Sequence, residues 1–185
     1  MATQLWLIPL FPLLGFVLNL LLGCTLGRTF TTLVGPLAVL AALGQSVWAC
    51  IALWSGSATT IQETLWRWIH IGDLQLEIGF QVDPLTAMFL LIITGIGFLI
   101  HVYSVGYMTD EEHYGRFFAF LNLFVFFMLV LVLADNLLLM FVGWEGVGLC
   151  SYLLIGFYHE KISAGEAAKK AFLFNRVGDF GVLSA

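Results

Sequence analysis

The chain has 185 residues, of which 61% are hydrophobic and only 10% charged, whereas soluble domains carry roughly 25% charged residues. That composition excludes a water-soluble globular domain. Seven Lys and Arg against 12 Asp and Glu leave a formal charge of −5, with neither a basic cluster nor a strand-and-glycine nucleotide signature, which excludes nucleic-acid binding and hydride chemistry in this chain.

Charge is absent from residues 1–27, 29–62, 84–109 and 117–134, and 136–159 is broken only by Glu145. About 20 apolar residues cross a bilayer core, and they do so as a helix because hydrocarbon offers no partner to open backbone groups. Transmembrane helices are therefore predicted at about 5–24, 31–54, 84–107, 116–134 and 136–158, with a sixth beginning near Ser163. No base precedes the first run and Arg28 follows it, so it reads as an uncleaved helix and not as a secretion signal. Between the second and third spans, Leu74, Leu76, Ile78, Phe80 and Val82 alternate with Gln75, Glu77, Gly79, Gln81 and Asp83. That period of two is a strand. With Trp66 and Trp68 before a Gly72-Asp73 turn, residues 61–83 predict a β-hairpin on the outer face, its apolar side against the helices and its tryptophans near the interface.

Capping boxes are predicted at Thr109 to Glu112 and at Ser163 to Glu166, ahead of the fourth and sixth spans. The sixth span meets Ala185 with no polar flank, so the chain is expected to be part of a longer protein. The fold class is thus an all-α multi-pass membrane protein of about six transmembrane helices with one hairpin. Residues 1–60 form two N-terminal helices, 61–83 the hairpin and 84–185 the start of an incomplete helix bundle. Arg28, Arg116, Lys161, Lys169 and Lys170 fall on one side and only Arg67 on the other, which places the N-terminus outside.

Glu145 stands near the middle of its span, where an ionised carboxylate is costly without water, a counter-ion or a proton. Desolvation favours its neutral form and a nearby cation its charged form, so two protein arrangements can give it two proton affinities, as a relay requires. The bland alternative is a carboxylate that only pins neighbouring helices together. Around it Gly143, Gly146 and Gly148 suit either a tightly packed polar cavity or simple close packing of helices. Arg176 and Asp179 lie three residues apart on one helix face, close enough to pair, either structurally or as part of one polar axis with Glu145. Lys169 and Lys170 read as snorkelling anchors. Cys24, Cys50 and Cys150 lack metal-site or disulfide spacing and read as small apolar residues. His70 and His113 are expected in loops, His159 at a helix end, and His101, inside a span, as a hydrogen-bonded interfacial residue without a facing axial partner.

The stretch Leu131-Val132-Leu133-Ala134-Asp135-Asn136 through Gly143-Trp144-Glu145-Gly146-Val147-Gly148-Leu149-Cys150-Ser151 to Phe157 closely resembles the subunit L family of bacterial NADH-quinone oxidoreductase, respiratory complex I. Gly97-Phe98-Leu99-Ile100-His101, Arg116-Phe117-Phe118-Ala119 and Arg176-Val177-Gly178-Asp179 extend the resemblance, in order, over essentially the whole chain. It implies the N-terminal part of an antiporter-like, proton-translocating membrane-arm subunit of the bacterial inner membrane. Glu145 then corresponds to the family's transmembrane glutamate, with Arg176 and Asp179 as its charged partners. No cofactor or metal is expected in this chain; flavin, iron–sulfur clusters and quinone are expected in partner subunits. The family's partner lysine on the next helix has no counterpart here. A multisubunit sodium/proton antiporter and a non-conducting structural membrane piece remain the other readings.

Overall fold

The computed structural model describes residues 4–56, 59–71 and 74–184. It is a helical bundle with one two-stranded sheet: α1 (Leu7–Ser55), β1 (Ile61–Ile71), β2 (Leu74–Val82), α2 (Pro84–Tyr107), α3 (Tyr114–Leu133), α4 (Leu137–Ile155) and α5 (Ile162–Ser184). The first helix bends back on itself at Gly27, whose φ of 81° and ψ of −177° are open to glycine and strained for other residues. It therefore consists of two arms, one on each side of Gly27, which correspond to the two spans expected there. Arg28 holds this bend against the loop between α2 and α3, donating through Nη1 to the Thr109 carbonyl and through Nη2 to the Glu111 carbonyl.

Among the described residues four helices are long and apolar enough to cross a membrane, Thr25–Ser55, α2, α3 and α4, with Leu7–Gly23 as a shorter apolar helix. The protein is a multi-pass membrane protein. α5 forms where the sixth span was expected but carries Glu166, Lys169, Lys170, Arg176 and Asp179, and those charges keep it below the apolarity of the other four.

Helix ends differ from the capping boxes read in the sequence. Asp83 caps α2, accepting from Thr86 N at 2.7 Å, and Asn136 caps α4, accepting from Leu139 N at 2.9 Å. Thr109 caps nothing ahead of α3, because the helix starts only at Tyr114, with His113 before it; its hydroxyl instead donates back to the Val105 and Gly106 carbonyls at the end of α2. Ser163 lies one residue inside α5 and so cannot be its cap.

The strands pair antiparallel from Ile61 with Val82 to Ile71 with Leu74, with irregular register between Thr64 and Trp66 and between Arg67 and Ile69. His70 is thus a strand residue, not a loop residue. The Gly72-Asp73 turn lies outside the described residues. Phe80 and Val82 are buried, as the alternation in β2 requires, and Trp66, opposite Ile78 beyond the register shift, is exposed. The hairpin is seated on one end of the bundle: Asp135 N donates to the Gly79 carbonyl at 3.3 Å, Asn136 Nδ2 to the Glu77 carbonyl at 2.9 Å, and Leu5 N to the Glu63 carboxylate. A Cβ on residue 79 would lie 2.0 Å from Asp135 Oδ2, so any other residue here would displace the Asp135 carboxylate. Ile61, Leu65, Ile78, Phe80 and Val82 join Leu5, Ile8, Leu90, Leu129 and Leu133 in one core beneath it.

α1 packs on α3 and α2, α4 packs on α3, and α5 packs on α4. The antiparallel succession brings Arg28, Arg116, Lys161, Lys169 and Lys170 to the end opposite the hairpin, while Arg67 pairs with Glu77 at 3.3 Å within the hairpin. Five of the seven Lys and Arg therefore lie towards one end of the molecule, together with Asp110, Glu111, Glu112 and Glu160.

Candidate functional site

The faces of α4 are divided between its two neighbours. A Cβ on Gly143 would lie 2.6 Å from the backbone of Leu131, and one on Gly146 would lie 2.1 Å from the Phe127 ring, both on α3. With Cys150, also buried, these residues follow helical spacing and form the seam against α3. Gly143 and Gly146 thus serve close helix packing, the second of the two readings of the glycine cluster. Trp144, Glu145 and Gly148 face the other way, towards α5, where a Cβ on Gly148 would stand 3.2 Å from Asn175 Nδ2. Opposite them α5 presents Phe172, Asn175, Arg176 and Asp179, at spacings of three and four residues.

Glu145 is the ninth of the 19 residues of α4. Its carboxylate is bonded by Arg176 Nη1 across the helix pair. The same Nη1 stands 3.7 Å from Asp179 Oδ2, one turn further along α5. Asp179 is buried, at 5% exposure, and its second oxygen accepts from Trp144 Nε1 at 2.8 Å. One guanidinium therefore serves two carboxylates, and Asp179 is in addition tied to α4 through Trp144. The guanidinium is further held 5.0 Å over the Phe172 ring, which meets Tyr152 of α4 edge-on at 5.6 Å.

The structure thus brings Glu145, Arg176 and Asp179 into one cluster. Trp144 belongs to it too, and sequence reasoning passed over it although it adjoins Glu145. Its place beside Glu145 in the middle of a span, with an indole N–H able to donate to a carboxylate, was the available signal. Lys169 and Lys170 lie seven and six residues before Arg176, roughly 10 Å back along the helix axis, and are exposed. His101 is fully buried in α2, with Nδ1 2.8 Å from the Gly97 carbonyl and its ring against Phe118. Its Nε2 meets no partner among the described residues. Cys50 and Cys150 are free and buried, and the side chain of Cys24 lies outside the described residues. Among the described residues no group of three or more His, Cys, Asp or Glu is arranged to hold a metal ion.

Comparison with known proteins gives two family matches in chain order. Residues 68–118 match the N-terminus of chain 5 of NADH-ubiquinone oxidoreductase (complex I), and residues 134–185 match the transmembrane family of NADH:quinone oxidoreductase and Mrp antiporters. The chain is 48% identical over 179 residues to subunit L of NADH-quinone oxidoreductase from Mycobacterium tuberculosis, covering 96% of this chain and 28% of the relative. It is 45% identical over 177 residues to subunit L from Escherichia coli, covering 96% of this chain and 29% of that relative. It is 46% identical over 185 residues to chloroplastic NAD(P)H-quinone oxidoreductase subunit 5 from Mesostigma viride, covering 96% and 28% respectively. The chain therefore spans less than a third of the length of these relatives. Among solved structures it resembles the Mrp complex from a Dietzia species, with a TM-score of 0.78 and 25% identity over 98% of this chain and 19% of that one. An archaeal membrane-bound sulfane sulfur reductase shares the fold, with a TM-score of 0.78 and 18% identity over 96% of this chain and 35% of that one.

Proposed function

The chain belongs to the antiporter-like membrane subunits typified by subunit L of NADH-quinone oxidoreductase, and from that premise we propose that it forms the first part of a proton-translocating subunit whose relay group is Glu145. The observation that carries this reading is the sharing of Arg176 between Glu145 and Asp179.

With both carboxylates ionised, the cluster carries two negative charges and one positive charge. Taking up a single proton makes it neutral, and neutrality is the cheaper state in a low-dielectric membrane interior. Arg176 is the element that can select where the proton goes. While it is bonded to Glu145, that carboxylate is compensated. If it swings the short distance to Asp179, Glu145 loses its counter-charge and is favoured to bind a proton. Trp144 steadies Asp179 as the acceptor of that swing. In this reading partner subunits hold flavin, iron–sulfur clusters and quinone, and oxidation of NADH with reduction of quinone alters the field that positions Arg176. The base-rich end faces the bacterial cytoplasm and the N-terminus and hairpin face outward.

Glu145→Gln keeps size and hydrogen bonding but removes titration. In the whole complex it is expected to abolish or sharply lower proton pumping driven by NADH while assembly stays normal. Unchanged pumping in an assembled mutant overturns the proposal. The similarity to the Mrp complex favours one second reading, a subunit of a multisubunit sodium/proton antiporter. Proton movement that requires a sodium gradient and is indifferent to NADH would decide for it.

A further inference from the structure

Five buried polar atoms on α1, α2 and α3 meet no partner among the described residues: Oδ1 and Nδ2 of Asn19, Oγ1 of Thr31, Nε2 of His101 and Oδ1 of Asn122. All four residues are 1% exposed or less. They come from both arms of α1, from α2 and from α3. Buried polar groups are ordinarily hydrogen-bonded, and hydrocarbon around a bundle offers them nothing.

Packing brings the four together. Gly97 of α2 faces Val125 of α3, with its Cβ position 3.6 Å from Val125 Cγ2. The two helices run antiparallel, so one turn nearer the base-rich end His101 comes opposite Asn122. Both touch Phe118: the His101 ring lies 6.0 Å from the Phe118 ring, and Asn122 Nδ2 donates to the Phe118 carbonyl at 2.9 Å. On α1, a Cβ on Gly15 would stand 2.7 Å from Asn122 Oδ1, and one on Gly23 would stand 3.1 Å from Thr31 Oγ1. Asn19 lies midway between those glycines, one helical turn, about 5.4 Å, from each.

The unpartnered groups cannot all satisfy one another. Asn122 commits its Nδ2 to Phe118, which leaves Oδ1 as an acceptor. His101 Nδ1 is 2.8 Å from the Gly97 carbonyl, which only accepts, so Nδ1 carries the hydrogen and Nε2 of the neutral ring is a bare acceptor. Two acceptors that face each other cannot bond. A small donor of two hydrogens satisfies both, and the four side chains carry no acid that would call for a cation. Water meets that description. One water also spans about 5.6 Å through two hydrogen bonds of about 2.8 Å, the reach from Asn19 to a group one turn away. His101 borders a hollow of about 230 Å³ between α2 and α3, whereas one water takes about 30 Å³.

We propose that this seam is a water-binding site inside the bundle, with one water donating to His101 Nε2 and Asn122 Oδ1 and further water joining Asn19 to Thr31 towards the base-rich end. It is separate from the charged cluster and independent of the relay assigned to Glu145. α1 meets Asn122 on α3, whereas α4 meets Phe127 and Leu131, so α3 stands between the two sites.

The test uses the full-length protein in its native membrane complex. A short X-ray pulse splits bound water into hydroxyl radicals in place, these oxidise the side chains that touch that water, and mass spectrometry reads the oxidised positions. Phe118 is expected to be oxidised although it is fully buried, while Leu133, equally buried in the apolar core beneath the hairpin, is not, once each is corrected for the reactivity of the free amino acid. His101→Leu removes the acceptor and abolishes oxidation of Phe118, and His101→Gln, which keeps an acceptor, retains it. Oxidation of Phe118 no faster than that of Leu133 in the parent, a comparison that depends on no variant, would overturn the proposal and show a dry seam whose polar groups bond directly. Unchanged oxidation of Phe118 in a folded His101→Leu complex would overturn it too.

Discussion

Replacing Gly143 by alanine is expected to destabilise the bundle even though glycine is a poor helix former. In an open helix the change stabilises by about 1 kcal/mol. At residue 143 the new methyl group would meet Leu131 Cα and N at 2.6 Å and Leu131 Cβ at 2.9 Å, where ordinary contact begins at 3.4 Å. The obstacle is the backbone of α3, which has no rotamer to yield, so α4 must retreat by about 0.8 Å, the difference between 3.4 and 2.6 Å. Gly95→Ala in α2 is the matched control, because a Cβ there meets nothing within 4 Å. The propensity gain is common to both, so their difference isolates overpacking, about 1 to 3 kcal/mol. Detergent-titration unfolding of the two variants in bicelles measures that difference directly. Because Glu145 is two residues away on the same helix, proton transport by Gly143→Ala should fall as well, while Gly95→Ala remains active. Equal stability of the two variants, or a more stable Gly143→Ala, would show that α4 is not clamped to α3 as described.

Trp144→Phe removes the indole donor to Asp179 and should cost about 1.5 to 3 kcal/mol, the worth of a hydrogen bond to a charged group; a double-mutant cycle with Asp179→Ala checks this, and strict additivity would refute the contact. Asp83→Ala is expected to cost about 1 kcal/mol through loss of the α2 cap, whereas Asp83→Asn retains the cap and stays within a few tenths. The backbone N–H of Thr86 holds the Asp83 carboxyl below its ordinary pKa, so its contribution is present above about pH 4 and is lost as the pH falls through the lowered value. The pH dependence of unfolding between pH 5 and 2, measured by circular dichroism, should accordingly be shallower for Asp83→Asn than for the parent.

Most of the membrane topology was legible because a bilayer leaves few alternatives. Charge-free runs of sufficient length have to be helical, and residues 84–107 were placed to the residue. The hairpin was legible in β2, where one face is buried and the other is polar, and its tight seating on Asp135 through Gly79 was not. Helix ends were less legible. A capping box is a local pattern, but whether it caps depends on where the following helix starts, and α3 starts only at Tyr114, five residues after Thr109. Asp83 and Asn136 form caps without a glutamate or glutamine three residues on, so the pattern sought did not include them. The bend at Gly27 appeared only as a gap between two runs; what the sequence does not display is that Arg28 fastens that gap to a loop 81 residues away.

The sequence showed the charged residues of the site as a lone glutamate and an Arg176–Asp179 pair that could share an axis with it, because a charge at membrane depth has no cheap explanation. Their assembly depended on a register that no single span contains. Gly143 and Gly146 fix which side of α4 meets α3, and this fixes by elimination that Trp144, Glu145 and Gly148 meet α5. Phe172, Asn175, Arg176 and Asp179 then share the complementary stripe. Once that stripe is set, the guanidinium falls between two carboxylates held by different backbones. Sliding α4 along α5 by one turn, about 5.4 Å, would separate Arg176 from Glu145 and Trp144 from Asp179 at once. The glycines that looked ambiguous in the sequence are therefore part of the electrostatics: they set the helix positions that let one cation serve two acids.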